Sequence, residues 1–278
     1  MVGRVLAGQA RRQGREVLAL KSSEWDITDA AATERVIEPG DVVINCAAFT
    51  KVDDAEAEQA RAHAVNVEGP ARLARVCARV GARLIHISTD YVFSGAQRRP
   101  YEIDDDTGPV NVYGRTKLAG ESAVLAALPA AHVVRTSWVY EGGDGTDFAA
   151  TMRHRAAGDG PVNAVADQTA SPTYAGDLAA ALLEVADGAI RAPVLHAAND
   201  GEATRFDQAR AVFEAVGADP ARVCPVAGER RPAPRPPYSA LSGRRSALAG
   251  LTPLRPWREA LADALAAYRP DGPLPSTP

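Results

Sequence analysis

The sequence is poor in the residues that most often bind structural metals. Among its 278 residues are three cysteines and five histidines. Cys46, Cys77 and Cys224 form no C-x-x-C pair, and the histidines form no H-E-x-x-H motif. An odd number of isolated cysteines is typical of a reducing compartment, where thiols stay free. We therefore expect a cytoplasmic protein with buried thiols, no metal site and histidines in ordinary surface or core positions.

A long apolar run and an excess of positive charge are also missing. No run approaches the ~20 apolar residues that span a bilayer, and the arginine-rich N-terminus lacks the apolar core of a signal peptide. The net charge of −4 argues against nucleic acid or an anionic membrane as the main partner. With 46% apolar and 24% charged residues, the composition is that of a folded globular protein rather than a disordered one.

Short apolar runs alternate along the sequence with longer amphipathic segments. The apolar runs predict strands at 16–20, 41–46, 83–88, 132–136 and 194–198. The amphipathic segments predict helices at 3–13, 29–38, 58–80, 113–128 and 148–157. Strands that alternate with helices of this length indicate a parallel sheet covered on both faces. The predicted fold class is therefore α/β, with a doubly wound parallel sheet of the Rossmann type.

The pattern changes after about residue 140, where loops rich in glycine, proline and serine become frequent. These loops predict a smaller C-terminal lobe that lies over the sheet and binds substrate. We expect a dinucleotide-binding domain at 1–140, to which 166–190 returns, and a substrate lobe at 141–165 and 191–268. The proline-rich tail at 269–278 is expected to be disordered.

Polar residues directly follow two of the predicted strands. The segments "DVVINCAA" and "RLIHISTD" are apolar at first and then turn polar at their C-terminal ends. In a doubly wound sheet these ends line the ligand crevice. The sequence therefore predicts that 45–50 and 88–93 line a site.

Tyr113 and Lys117 are four residues apart at the start of a predicted helix, so their side chains share one face. A phenol has a pKa of about 10, and a neighbouring ammonium lowers that pKa towards neutrality. Thr89, at the end of the preceding strand, can hydrogen-bond the same substrate oxygen as Tyr113. The three residues together predict a proton relay beside a carbonyl group that is being reduced.

Seven segments together resemble the dTDP-4-dehydrorhamnose reductases, a family of extended short-chain dehydrogenases. They are "CAAFTKVDDAE", "NVEGP", "STDYVFSG", "NVYGRTKLAGE", "RTSWVY", "DQTASPT" and "RPAPRPPYSAL". The resemblance runs from about residue 3 to 268. It implies NADPH-dependent reduction of the 4-keto group of dTDP-4-dehydro-β-L-rhamnose to dTDP-L-rhamnose, a step of nucleotide-sugar biosynthesis. It leaves a homodimer open.

The resemblance also implies roles for individual residues. Tyr113 would protonate the sugar C4 oxygen, Thr89 would hydrogen-bond that oxygen, and Lys117 would hold the nicotinamide ribose and lower the pKa of Tyr113. Further substrate contacts would come from Asp90, Tyr91 and Trp138. Further cofactor contacts would come from Gly3, Asp26, Ile27, Ala47, Ala48 and Thr50, with Asp26 and Ile27 at the adenine.

Three other positions give hints about phosphate binding, the type of reaction and the choice between NADPH and NADH. Arg235 either reaches the nucleotide pyrophosphate, for which a guanidinium is well suited, or only holds its loop. Tyr91 stands where related 4,6-dehydratases have a glutamate, which favours simple carbonyl reduction over dehydration. Lys21 follows the predicted strand 16–20, where a base accepts the 2′-phosphate of NADPH, although NADH stays open.

Two other functions stay open. The chain could be a non-catalytic NADP-binding regulatory subunit of the methionine adenosyltransferase type, because such relatives share the fold and can retain the tyrosine and lysine. It could also be a reductase or epimerase of another sugar nucleotide, because no residue by itself fixes dTDP over UDP.

Gly3 matches the last glycine of the G-x-x-G-x-x-G loop that follows the first strand in this family. That glycine allows close helix–strand packing, and the earlier ones approach the cofactor pyrophosphate. The first strand is absent from this sequence, so we expect the natural chain to start about a dozen residues upstream; the competing idea is a truncated form folded in another way. In the order 3-2-1-4-5, the loss would leave 16–20 and 83–88 with facing unpaired edges, or would force these two strands to close up.

Overall fold

A four-stranded parallel sheet forms the centre of the computed structural model, which describes residues 1–268. Its strands are β1 (Val42–Asn45), β2 (Arg83–Thr89), β3 (His132–Thr136) and β8 (Val194–His196), in the order β1-β2-β3-β8. All three pairings are parallel. The strands are apolar on both faces, as a sheet covered by helices requires.

Helices cover the two faces of the sheet and give it two apolar layers. On one face, Ile85 of β2 packs with α1 (Val2–Arg12) and α8 (Ala175–Ala186). On the other face, Leu84 packs with α5 (Gly69–Val80), with α6 (Val112–Ala127) and with Ile37, which directly follows α2 (Ala30–Val36). Successive strand residues point to opposite faces, which explains this division. The prediction of a doubly wound parallel sheet is confirmed.

The predicted helix at 58–80 is interrupted. It consists of α4 (Gln59–His63), a π-helical segment Ala64–Glu68 and α5, and it follows α3 (Val52–Ala57). The wide turn carries Asn66, whose amide bonds the backbone of Phe49 and the hydroxyl of Thr116. Gly120 makes this contact with α6 possible, because a Cβ there would lie 2.1 Å from the Asn66 carbonyl oxygen.

A smaller lobe follows β3 and has its own apolar core, which includes Met152, Phe213 and Leu261. Its helices are α7 (Phe148–Ala156), α9 (Arg205–Ala215), α10 (Arg244–Leu248) and α11 (Trp257–Ala266). Its paired strands are β5 (Val162–Val165) with β10 (Val223–Val226), β4 (Val139–Tyr140) with β7 (Thr173–Tyr174), and β6 (Thr169–Ala170) with β9 (Ala203–Thr204). Short 3-10 turns lie at Asp90–Val92 and Pro220–Arg222.

The prediction of a strand at 16–20 is wrong. Within residues 1–268 this segment has no ladder partner, and Leu18 is 73% exposed. Its apolar pattern suits a strand, but a strand also needs a neighbour to satisfy its backbone groups. The expectation that 16–20 and 83–88 face each other, either unpaired or closed up, is also wrong. β2 is flanked by β1 and β3, so in the described part of the chain the outer edge belongs to β1.

Three smaller predictions need comment. Cys77 is buried, whereas Cys46 and Cys224 are only partly so, because they lie at a strand end and on an edge strand. Val194–His196 pairs with β3, so this part of the predicted lobe 191–268 belongs to the sheet. The division into two domains otherwise stays a prediction, and the tail 269–278 lies outside the described residues.

Candidate active site

The carboxyl ends of β2 and β3 lie side by side and form the floor of the site. Thr89 of β2 pairs in register with Thr136 of β3. Directly after Thr89 the chain turns, and the Thr89 hydroxyl accepts a hydrogen bond from the Tyr91 amide at 3.2 Å. The turn leaves Asp90 buried and Tyr91 partly exposed. The predicted segment "STDY" therefore lies at the crevice end of the sheet.

Helix α6 begins against this turn. Asn111 caps it by accepting from the Gly114 amide at 2.8 Å, and the Val112 amide donates to Glu56 at 2.8 Å. Gly114 allows the docking, because a Cβ there would lie 2.2 Å from the Tyr91 carbonyl oxygen. The first turn of α6 thus places the Tyr113 ring edge-to-face with Tyr91, with ring centroids 5.8 Å apart.

Tyr113 is poised as a proton donor rather than as a phenolate. Burial raises its pKa, the hydrogen bond with Thr89 opposes that shift, and the charge of Asp90 reinforces it. A lowering of this pKa by the Lys117 ammonium stays a prediction. Thr89 and Tyr113 are brought together as predicted from the sequence.

Lys117 is buried on the same face of α6, with only 2% of its surface exposed. Its Nζ donates to the Ile87 carbonyl at 2.6 Å and lies 3.2 Å from Nε2 of His86. Burial lowers the pKa of Lys117 to about 8, partly offset by the charges of Glu121 and Cys46. The amine therefore stays mostly charged at physiological pH, with a minor neutral fraction.

His86 links Lys117 to the loop after β1. Its Nδ1 lies 3.0 Å from the Asn45 amide nitrogen, while the Asn45 carbonyl oxygen accepts from the Ala47 amide at 3.0 Å. This pattern makes Nδ1 an acceptor and places the imidazole proton on Nε2, towards Lys117. Burial and the charge of Lys117 hold the pKa of His86 well below its usual value. Sequence reasoning did not single out this histidine, because it occupies an ordinary strand position.

Asp90 joins the sheet to the smaller lobe. It accepts from the Ser239 hydroxyl at 2.5 Å and from the Thr89 hydroxyl at 3.1 Å. Burial raises its pKa to about 6, although these hydrogen bonds favour the charged form. A carboxylate with this pKa, enclosed by hydroxyl donors, is suited to binding a polar ligand.

Trp138 lies just beyond β3 and has a strained backbone, with a φ of 41°. Its ring is covered by the guanidinium of Arg205, whose Cζ lies 3.6 Å from the ring centroid. A cation over an aromatic face is attractive, which helps to hold Trp138 in this conformation. Sequence reasoning missed Arg205, because its partner lies far away along the chain.

Arg235 has a carboxylate partner. Its two terminal nitrogens bind both oxygens of Asp53 at 2.9 Å, and Asp53 also accepts from the Ala233 amide. Asp53 thereby anchors the loop around Arg235. A cleft of about 420 Å³ opens along this loop. Contact of Arg235 with a substrate stays a prediction.

The predicted cofactor residues lie in two groups. Ala47, Ala48 and Thr50 follow β1 directly, and Gly3 approaches Cys46 at the start of α1. A Cβ at Gly3 would lie 3.6 Å from that of Cys46, an ordinary contact, so packing alone does not require glycine here. These segments meet at the carboxyl end of the sheet, where a dinucleotide binds in such folds.

The second group lies on the loop that precedes α2. Lys21 and Asp26 are exposed, and the Asp26 carboxylate accepts from Thr28. The Ile27 side chain instead packs in the core beneath Gly69. The hydroxyls of Ser88 and Thr136, at the sheet end, are buried and unpartnered within the described residues. Such unmet polar groups fit a polar cofactor.

Two broader features concern only residues 1–268. No cluster of three or more histidine, cysteine, aspartate or glutamate side chains is arranged to hold a metal ion. No helix in this part of the chain has both the length and the apolarity needed to cross a membrane.

The chain matches known proteins along its whole length. A family model described as RmlD substrate binding domain matches residues 1–269. The dTDP-4-dehydrorhamnose reductase of Mycolicibacterium smegmatis is 66% identical, over 100% of this chain and 87% of that protein. The enzyme of the same name from Mycobacterium tuberculosis is 65% identical, over 96% of this chain and 90% of that protein.

Solved structures of enzymes with the same name have a similar fold. A dTDP-4-dehydrorhamnose reductase from Clostridium acetobutylicum has a TM-score of 0.90 and 35% identity, covering 96% of this chain and 95% of that one. The Bacillus anthracis reductase, solved in complex with NADP, has a TM-score of 0.89 and 31% identity, covering 96% and 94%. The chain therefore belongs to the dTDP-4-dehydrorhamnose reductase family.

Proposed function

We propose that this chain reduces the 4-keto group of dTDP-4-dehydro-β-L-rhamnose to give dTDP-L-rhamnose, with NADPH as the reductant. The observation that carries the proposal is the arrangement of Tyr113 beside Thr89 at the end of β2, with Lys117 one turn further along α6. Membership of the family supports the substrate, and the relative solved with NADP supports the cofactor.

The side chains of the site divide the chemistry among them. When bound, NADPH supplies hydride to the C4 carbon. Tyr113 gives its proton to the C4 oxygen, and its raised pKa keeps that proton in place until the oxygen becomes basic. Thr89 is placed to hydrogen-bond the same oxygen, and Lys117 is the residue that would hold the nicotinamide ribose.

The residues near Tyr113 favour reduction over dehydration. Removal of a sugar C5 proton needs a second base beside Asp90, and position 91 holds a phenol instead. Burial raises the pKa of Tyr91 to about 12, so it stays protonated at neutral pH. Asp90 is itself engaged by Ser239 and Thr89.

The direct test is NADPH oxidation with purified chain and dTDP-4-dehydrorhamnose, with the product identified by mass spectrometry. The expected product carries two more hydrogens than the substrate. A parallel assay with NADH measures cofactor preference. Failure to form the product with either cofactor, by a folded protein, would contradict the proposal.

A second candidate is reduction of another keto sugar. A Streptomyces antibioticus relative, 46% identical over 95% of this chain, is named a probable dTDP-4,6-dihydroxy-2-methyloxan-3-one 4-ketoreductase. Assays with other dTDP- and UDP-linked keto sugars would rank the substrates. NADPH binding without any turnover would favour the regulatory-subunit alternative, for which a pull-down with methionine adenosyltransferase is the test. A homodimer and a cytoplasmic location stay predictions.

A further inference from the structure

Arg205 is a partly buried arginine without a carboxylate partner. It is the first residue of α9, fixed there by the Thr204 cap. Its guanidinium lies between two rings, with Cζ 3.6 Å from the Trp138 centroid and 4.6 Å from that of Phe148. Nη1 donates to Gln208 at 2.9 Å. Within residues 1–268, Nε and Nη2 have no hydrogen-bond acceptor and no carboxylate lies within ion-pair distance.

Two other sheltered arginines of this protein are paired with carboxylates. Arg135 makes three hydrogen bonds of 2.7 to 3.2 Å with Glu121. Arg235 is held by both oxygens of Asp53. A charge removed from water normally needs such a partner. Burial lowers the pKa of Arg205 to about 10, which still leaves it charged at neutral pH. The charges of Asp90 and Asp147 favour this charged form from beyond ion-pair distance, and the N–H groups that remain free suit an anion in direct contact.

The backbone places Arg205 beside the catalytic floor. Trp138, the ring beneath the guanidinium, lies two residues beyond Thr136. Thr136 is the register partner of Thr89. The stacked guanidinium is therefore held next to the strand end that carries the reaction.

A second connection runs through the smaller lobe. Thr204, directly before Arg205, pairs with Thr169 in the β6–β9 ladder. The Thr169 carbonyl accepts from the Ser239 amide at 2.8 Å, and the Ser239 hydroxyl donates to Asp90 at 2.5 Å. The same short ladder thus fixes the start of α9 relative to the buried carboxylate of the site.

We propose that Arg205 binds the diphosphate of the sugar nucleotide and is a determinant of specificity for diphosphate-linked sugars. The inference rests on the proposed function, because that function supplies an anionic substrate. Stacking on Trp138 holds the guanidinium plane, so that its free N–H groups can bind phosphate oxygens in a fixed geometry. The sugar then extends from this anchor towards Thr89.

Binding of dTDP and of thymidine, measured by calorimetry, tests the proposal without requiring turnover. Replacing Arg205 by glutamine is expected to weaken dTDP binding about 10- to 100-fold, the range for charge-assisted hydrogen bonds, and thymidine binding less than about 2-fold. Arg205→Lys is expected to recover part of the affinity. Arg210→Gln is the matched control, because Arg210 lies on the same helix, is exposed, and contacts Glu214 at 4.0 Å and the Phe206 ring at 5.7 Å, away from Trp138.

The outcomes separate this inference from the proposed function. Equal weakening of dTDP and thymidine would indicate that Arg205 only supports Trp138, and would overturn the proposal. Unchanged dTDP binding by Arg205→Gln would also overturn it, while keto-sugar reduction by the unaltered chain would leave the function intact. A wild-type chain that neither binds dTDP nor reduces the keto sugar would contradict both. NADPH affinity should be the same in all variants.

Discussion

The central sheet and the smaller lobe meet at the site, but they are built differently. β2 has seven residues and β3 five, and both lie between helical layers. In the lobe, β4, β6, β7 and β9 have two residues each. The sheet places Thr89 through its ladder, whereas the lobe reaches the site through side chains such as Ser239 and Arg235. We therefore expect the chemistry to depend on the sheet and recognition to depend on individual side-chain contacts of the lobe.

The largest expected effect comes from removing the phenol on the sheet side. Replacing Tyr113 by phenylalanine is expected to lower kcat at least ~100-fold, because a positioned acid contributes about that much. NADPH affinity should change little, since the ring and its packing stay. Steady-state rates and NADPH fluorescence titration measure the two effects.

Tyr140→Phe is the matched control in the lobe. The Tyr140 hydroxyl is buried and has no hydrogen-bond partner among the described residues. Its loss should leave turnover unchanged. If both variants lose activity equally, the division between a chemical sheet and a binding lobe is wrong.

An intermediate effect is expected at Asp90, where the two regions touch. Its pKa is raised in the folded state, from an ordinary value near 4 to about 6. The folded state therefore holds the proton more tightly, and stability falls as the pH rises between these values. At pH 7.5 the penalty is about 3 kcal/mol, at about 1.4 kcal/mol per pKa unit.

Asp90→Asn removes this penalty along with the charge. We expect the variant to be more stable than the original chain at pH 7.5, with the difference closing towards pH 4, and to turn over more slowly. Urea unfolding at several pH values measures the difference. A difference that is independent of pH would show that ionisation of Asp90 is not its source.

The smallest effect is expected in the lobe, at the pair of Asp53 with Arg235. Asp53→Asn should lower the free energy of unfolding by about 1 kcal/mol and weaken dTDP binding, without changing kcat. The Arg235 hydrogen bond holds the pKa of Asp53 below its usual value. The contribution is therefore complete above about pH 4 and is lost as the pH falls through the lowered pKa.

Asp54→Asn is the control for this variant, because among the residues that the structure describes Asp54 pairs only with the exposed Lys51, at 3.3 Å. It should change neither stability nor binding. A reduced kcat in Asp53→Asn would show that the lobe contact reaches the chemistry, and would weaken the distinction between the regions.

The sequence predicted those parts of the site that depend on local spacing. Tyr113 and Lys117 share a helix face, and "STDY" follows an apolar strand, so a general rule for parallel sheets brings them together. The same local reasoning failed at 16–20, because an apolar pattern does not say which strand will be its neighbour.

Contacts between distant segments could not be predicted. Asp53 and Arg235 are 182 residues apart, and Asp90 and Ser239 are 149 apart. No periodicity relates such positions, and a single sequence carries no record of their contact. His86 was missed for another reason: its neighbours, Asn45 and Lys117, come from two other elements, so its strand position alone looks ordinary.

The hydrogen bonds around His86 couple the protonation of Lys117 to the geometry of the turn from Asn45 to Ala47. A protonated Lys117 would face the Nε2 proton of His86, so the imidazole would have to change tautomer and Asn45 would lose its bond pattern with Ala47. By linkage, whatever tightens the Ala47 turn draws the proton away from Lys117, and whatever charges Lys117 loosens that turn. Protonation of Lys117 and the conformation of the loop after β1 are thus thermodynamically coupled through His86.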